Sequence, residues 1–379
     1  MGFSIRSNWD YKELDVMPLS QKCKQTVDAC RFCWMCRHIC PIGNVTGQER
    51  NNARARALAL SMVVRNVEGI DDVIENMYEC TLCGACTKEC MTGWDPVRFT
   101  LEARLEGVMA DVTPDYILRL MDNFSEVGNI YGKKELAPEL AAEIATLPKS
   151  AKKLLFLGRD TLYFAPKSAI AAIKLLKKAG LNFTVLTDEP DSGFGHYFLV
   201  GPAEEVRQIA KATAAKLAFD SIIVYDPNDA KMFLREYKEW GVELGAGIQT
   251  FTSCLAELIA KGALQPKKNA NVVYTFQDPY ALARDLEDTA SARAVLDACG
   301  SQKEMLLNGK DTVIAGHLIM REYLPDVIAD VAKQRLENAK NADAKILVTA
   351  SPAEYVCLKD AQPDDLEIMS IEEVVLKCL

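Results

Sequence analysis

No apolar run in this 379-residue chain approaches the ~20 residues that a bilayer span requires. The opening stretch, MGFSIRSNWDYKELDV, has no apolar segment of the kind a secretory signal carries, which argues against export. There is no basic stripe. The 44 Lys and Arg are outnumbered by 53 Asp and Glu, for a net charge of -9, which argues against nucleic acid as a partner. G-x-G-x-x-G after a strand, the P-loop and G-x-S-x-G are all missing. Gly193-Phe194-Gly195 is an isolated fragment, so nothing reads as a flavin or nucleotide site, and no residue is assigned a catalytic role.

What the chain does have is cysteine, thirteen in all. Cys30, Cys33, Cys36 and Cys40 form one run and Cys80, Cys83, Cys86 and Cys90 a second, each spaced C-x2-C-x2-C-x3-C. Two zinc sites would need four ligands each, usually as separated pairs, and give no reason for this spacing. Reduced core thiols would not cluster so. Soft thiolates at this spacing suit two [4Fe–4S] clusters in a crossed pattern, the fourth Cys of each run ligating the other cluster. One cluster then takes Cys30, Cys33, Cys36 and Cys90, and the other Cys80, Cys83, Cys86 and Cys40. Pro41 follows the first run, but Met91 follows the second, a change that costs no ligand. Cys23, Cys254, Cys299, Cys357 and Cys378 share no spacing and read as small buried apolar residues, with Cys23 a weak alternative ligand. A chain of this length with clustered cysteines is no disulfide scaffold, and a reducing cytoplasm is the compartment expected.

The pattern along the chain predicts four parts. Residues 1–112 carry the clusters on helices, expected at 48–67, 71–78 (capped by Asp71) and 96–109. Residues 113–150 form a helical connector. From 151 the chain alternates β-rich runs with helices, the signature of βαβ units. Strands are expected at 154–158, 183–188, 221–226 and 242–244, then at 272–276, 312–315, 345–350 and 366–370. Asp226-Pro227-Asn228-Asp229 and Ser351-Pro352-Ala353-Glu354 follow corresponding strands, and Gly195-His196 and Gly316-His317 occupy corresponding loops. These imply a duplication of about 110 residues, with halves 151–262 and 263–379. The fold class is an α-helical ferredoxin domain followed by an α/β domain of two duplicated βαβ-type halves on mostly parallel sheets.

With Gly47, Glu49, Arg54 and Arg56 after the first run, this layout resembles the iron–sulfur subunits of glycolate oxidase, lactate-utilisation proteins, anaerobic glycerol-3-phosphate dehydrogenase and heterodisulfide reductase. The resemblance implies an electron-transfer subunit of a hetero-oligomeric oxidoreductase complex. Single electrons would pass between an FAD-containing dehydrogenase partner and a further carrier, with any membrane contact indirect. The resembling subunits also carry Cys-Cys-Gly and Cys-Pro-x-Cys in each half. Here those positions read Gly193-Phe194-Gly195, Ile314-Ala315-Gly316, Asp226-Pro227-Asn228-Asp229 and Ser351-Pro352-Ala353-Glu354, and Asp278-Pro279-Tyr280 stands for an Asp-Pro-Cys. The third cluster is therefore not carried over.

His196, His317, Asp229 and Glu354 replace cysteines or their neighbours, and two imidazoles with two carboxylates could bind a harder metal or a polar ligand. Helix capping accounts for Asp229 and Glu354 equally well. An enzyme with its own site near His196 and His317 is therefore one alternative to a pure electron carrier, and a redox sensor or assembly protein is another. Arg50, Arg54 and Arg56 either stand near a cluster or form a solvated basic helix face.

Overall fold

The computed structural model describes residues 29–379, so Cys23 lies outside the described residues. The N-terminal part is helical. Cys40 caps Pro41–Thr46, Asn52 caps Ala53–Val64 by accepting the Ala55 N–H, and Asp95 caps Pro96–Met109, with Pro96 in the first turn. The helix expected at 48–67 is shorter. Gln48 leads a single 3-10 turn, Glu49–Asn51, before the Asn52 cap, and the chain leaves the helix through Asn66 at φ 56°. Asp71 is not a cap: the helix there is Ile74–Tyr78, which has no side-chain cap. Asp115–Val127 ends in left-handed Gly128, and Pro138–Ala145 leads into the first sheet.

The first sheet contains β1 (Lys153–Phe156), β2 (Ser221–Val224) and β3 (Gly247–Thr250), all parallel in the order β1-β2-β3. Thr184 adds a single parallel bridge to Leu154 on β1. The second sheet contains β4 (Val273–Gln277), β5 (Ser301–Gln302), β6 (Ile346–Thr349) and β7 (Glu367–Ser370), parallel in the order β5-β4-β6-β7. Helices cover both faces, so strand residues alternate between two cores. Leu154, Phe156, Ile222 and Val224 enter one core, and Leu155, Leu157, Ile223 and Tyr225 the other.

The first of those cores also contains Leu60, Met77, Tyr78, Phe99, Ile117 and Leu199. The helical part is therefore built into the α/β part. The second core joins the two sheets through Phe251, Phe276, Val295, Val348 and Val374.

Three expected strands fail for local reasons. Of 183–188 only Thr184 makes a bridge. At 242–244 the Val242 N–H bonds the Tyr237 carbonyl at 2.8 Å to close a helix, and the strand forms later as β3. At 312–315 side chains take the ladder groups: Gln277 Nε2 donates to the Val313 carbonyl, Arg284 Nη1 to the Thr312 carbonyl, and the Ala315 N–H to Glu354. The outer position goes to β5 instead. After β4 the chain forms a π-helical turn, Ala281–Asp285, and then the helix Ser291–Cys299, separated by Glu287 at φ 56°.

Candidate iron–sulfur site

The two cysteine runs share one local geometry. The residue before the second cysteine of each is left-handed, Phe32 at φ 49° and Leu82 at φ 56°. Its N–H points back to the first sulfur, Phe32 N to Cys30 Sγ at 3.3 Å and Leu82 N to Cys80 Sγ at 3.4 Å. A non-glycine residue costs about 1–2 kcal/mol in this region, a strain the surrounding loop has to hold. The runs differ at their fourth cysteine. Cys40 Sγ accepts the Gly43 N–H at the start of the helix that Pro41 opens. No helix follows Cys90, whose Sγ lies 3.3 Å from Thr92 Oγ1, and Met91 beside it is 81% exposed.

The electrostatic neighbours of the thiols cross between the runs. Burial raises the pKa of Cys30, the Phe32 N–H lowers it, and negative charge on Cys90 and Cys33 raises it again. Burial likewise raises Cys36, which also feels Cys30 and Cys33. Cys40 is pushed up to about 11 by burial, and the sulfurs that add to this are Cys80 and Cys83 of the other run. Burial pushes Cys86 well up, with Cys80, Cys83, Cys40 and Cys36 adding to it. Packed thiols of this kind stay protonated until a cation takes the negative charge, so the donor set fits a group that carries several soft metal ions.

Four arginines hold the backbone around these loops. Arg54 Nε donates to the Phe32 carbonyl at 2.8 Å, while its Nη1 meets Glu49. Arg56 donates to the Asn76 and Glu79 carbonyls at 3.0 and 2.9 Å. Arg104, fully buried, donates to the carbonyls of Met77, Cys80 and Phe198, between the rings of Tyr78 and Phe198. Arg284 places two donors on the Cys83 carbonyl from far along the chain. Arg54 and Arg56 also lower the pKa of Cys30 and Cys40 by their charge. They are therefore more than a solvated face, whereas Arg50 sits partly exposed on Glu79. Sequence reasoning missed Arg104 and Arg284. Nothing local marks either of them: Arg104 shares its helix with Arg98, Glu102 and Glu106, and Arg284 acts from far along the chain.

The four residues of the expected extra site do not meet. His196 packs against Phe124 at 4.6 Å, with Nε2 3.3 Å from Glu205. His317 Nδ1 accepts the Met320 N–H, so in the neutral ring the proton is on Nε2. Burial, helped by the charge of Arg104, drives its pKa down to about 3. Asp229 accepts from Ser192 Oγ, and burial and neighbouring Asp226 raise its pKa well up. Glu354 accepts from Gln277 Nε2, the Ala315 N–H and Thr349 Oγ1. His317 and Glu354 border a cavity of about 10 Å³, and Asp229 a different one of about 20 Å³, each with space for about one water. Phe194 borders both. Among the described residues, no three His, Cys, Asp or Glu side chains converge as ligands of a single ion. A larger cleft, about 580 Å³, opens beside Leu82 and Gly84 of the second run and is walled by Arg98, Arg235, Trp240 and Arg284.

Residues 26–94 match the 4Fe-4S dicluster domain. A probable membrane-anchored ferredoxin of Chromohalobacter salexigens is 25% identical over 321 residues, 73% of this chain and 47% of that protein. The chain thus spans about half the length of that relative. One of the subunits of the dihydromethanophenazine:CoB–CoM heterodisulfide reductase of Methanosarcina acetivorans is 22% identical over 97% of this chain and 95% of its own length. This chain is related to that heterodisulfide reductase component. An uncharacterised iron–sulfur protein of Methanococcus maripaludis, 21% identical over 90% of this chain, is a further relative. One relative is thus described as membrane-anchored, while among the described residues here no helix is long and apolar enough to cross a membrane. The relatives and the domain match make this an iron–sulfur protein.

Proposed function

We propose that the chain is an electron-transfer subunit that holds two [4Fe–4S] clusters, one on Cys30, Cys33, Cys36 and Cys90 and the other on Cys80, Cys83, Cys86 and Cys40. The observation that carries this reading is the pair of C-x2-C-x2-C-x3-C runs with one shared loop geometry, in which left-handed Phe32 and Leu82 aim their N–H groups at the Cys30 and Cys80 sulfurs. The clusters supply one-electron redox chemistry. The chain's own part is to position them through the Arg54, Arg56, Arg104 and Arg284 contacts and to donate N–H groups to sulfur from Phe32 and Leu82. Electrons would pass between a flavoprotein dehydrogenase partner and another carrier within a hetero-oligomeric complex in the reducing cytoplasm. The near-full-length match to a reductase subunit supports assembly into such a complex.

The remainder is a scaffold, with a cluster domain at 1–112, a connector at 113–150 and duplicated halves at 151–262 and 263–379. Support for duplication comes from the order β5-β4-β6-β7, which repeats Thr184-β1-β2-β3. The filled space around Phe194, His317 and Glu354 supports the absence of a third cluster. Anaerobic purification followed by iron and sulfide analysis tests the reading. Eight of each per chain are expected, with no substrate turnover by the isolated chain. Four irons, or iron beyond eight, would overturn it.

A further inference from the structure

Trp34 and Met35 lie between two ligand positions, Cys33 and Cys36, and are 59% and 41% exposed. Met91, next to Cys90, is 81% exposed. These are three of the seven large apolar side chains exposed among the described residues, and all three are attached to the loops of one cysteine group, whose member Cys33 is also exposed. Trp34 is not a loose side chain. The Arg54 guanidinium lies 4.3 Å from its ring centroid and that of Arg37 5.5 Å. Arg54 is in turn anchored on the Phe32 carbonyl and Glu49. A rigid exposed aromatic beside arginines is the composition of an interface centre.

Charge indicates what would cover it. From Ala29 to Gln48 the chain has no Asp or Glu, while Arg31, Arg37 and His38 are exposed, and Glu49, the carboxylate that reaches Arg37, is shared between Arg37 and Arg54, which leaves the surface with an excess of positive charge. On a molecule with net charge -9 this is a local reversal of sign. Resting on the electron-transfer reading, we infer that the Trp34–Met35–Met91 surface, with Arg31 and Arg37, is the docking face for an acidic redox protein. That partner exchanges one electron at a time with the cluster on Cys30, Cys33, Cys36 and Cys90. Apolar contact at the centre sets residence, and the arginines steer the approach. The second cysteine group differs: its nearest opening is the cleft walled by Arg98, Arg235, Trp240 and Arg284, where Asp285 already pairs with Lys231 and Arg235. The two ends of the relay therefore present different surfaces.

Stopped-flow reoxidation of the dithionite-reduced holoprotein tests this with three oxidants: flavodoxin as the acidic protein, cytochrome c as the basic one, and benzoquinone as a small neutral acceptor. For Arg31→Glu/Arg37→Glu the flavodoxin rate should fall at least about tenfold at low salt and converge with wild type at high salt. Benzoquinone should be unaffected, which shows the clusters intact. Trp34→Ala should slow flavodoxin at every salt concentration. Flavodoxin rates indifferent to both variants, or wild type faster with cytochrome c than with flavodoxin at low salt, would overturn the docking face and leave the relay standing. A wild-type dimer that Trp34→Ala splits into monomers with full flavodoxin rates would reassign the patch to self-association. Wild type that reduces none of the three oxidants would overturn the electron-transfer reading itself.

Discussion

At the scale of single residues, the arginines carry more than the sequence suggested. A buried guanidinium is costly unless its donors are satisfied, and Arg104 meets this need with three carbonyls and two ring faces. One of those carbonyls belongs to Cys80, and another, on Phe198, lies in the α/β part. Arg104→Met keeps an unbranched apolar stem but removes the guanidinium and strands the carbonyls. It should lower stability by about 3 kcal/mol and speed the bleaching of the visible cluster absorbance under denaturant. Arg104→Met bleaching and melting like wild type would remove Arg104 as the tie between cluster loop and scaffold. The dicluster domain at 26–94 was legible because the cysteine spacing is itself the chemistry. Arg284 was not, because its partner Cys83 lies 201 residues away. His196 and His317 share a sequence context, but that context does not specify what each ring packs against, Phe124 for one and Phe198 for the other.

At the scale of elements, sequence and structure agree best where a helix has a side-chain cap. Pro96–Met109 starts at the residue expected, since Asp95 Oδ1 accepts the N–H groups of Val97 and Arg98 before Pro96 fixes the first turn. The same Oδ1 accepts from Thr87 Oγ1, which couples this helix to the second cysteine run. Asp95→Ala should cost about 1–2 kcal/mol in chemical denaturation, and Asp95→Asn should recover most of it because an amide oxygen still accepts. Equal losses in both variants would point to the charge and not to the cap. Strands were harder to read. Short apolar runs do not reveal whether their backbone groups will find a ladder. At 312–315 they found Gln277, Arg284 and Glu354 instead, side chains whose arrival only the tertiary fold determines. The π-helical turn at Ala281–Asp285 is similar: Asp278 just before it pairs with Arg293 and accepts the Gly309 N–H instead of capping a helix.

At the scale of the molecule, burial of several carboxyl groups outweighs the arginines near them, Arg159 for Glu189, Arg321 for Asp160 and Arg335 for Glu354. Burial raises Glu189, Glu354 and Glu372 to about 7 each and Asp160 to about 6. A carboxyl group whose pKa is higher in the folded state holds its proton after the unfolded chain has released it. Below the unfolded values, about 4, it has no effect; as pH rises to about 7 it increasingly favours unfolding, and above that the full penalty applies. His317, lowered to about 3, works in the opposite sense below pH 6.5, but it is one group against four. The melting temperature of the intact holoprotein should therefore fall between pH 5.5 and 8, against the behaviour of a protein held by surface ion pairs. Glu354→Gln isolates one contribution. The amide oxygen can still accept from Gln277 Nε2 and the Ala315 N–H, and the new amide N–H group can donate to Thr349 Oγ1. The variant should be more stable than wild type at pH 8 by on the order of 1–3 kcal/mol, with the difference vanishing towards pH 5. Melting curves for the two proteins that run parallel across this range would show that Glu354 is ionised in the folded protein, its charge held by the Gln277, Ala315 and Thr349 donors and by Arg335.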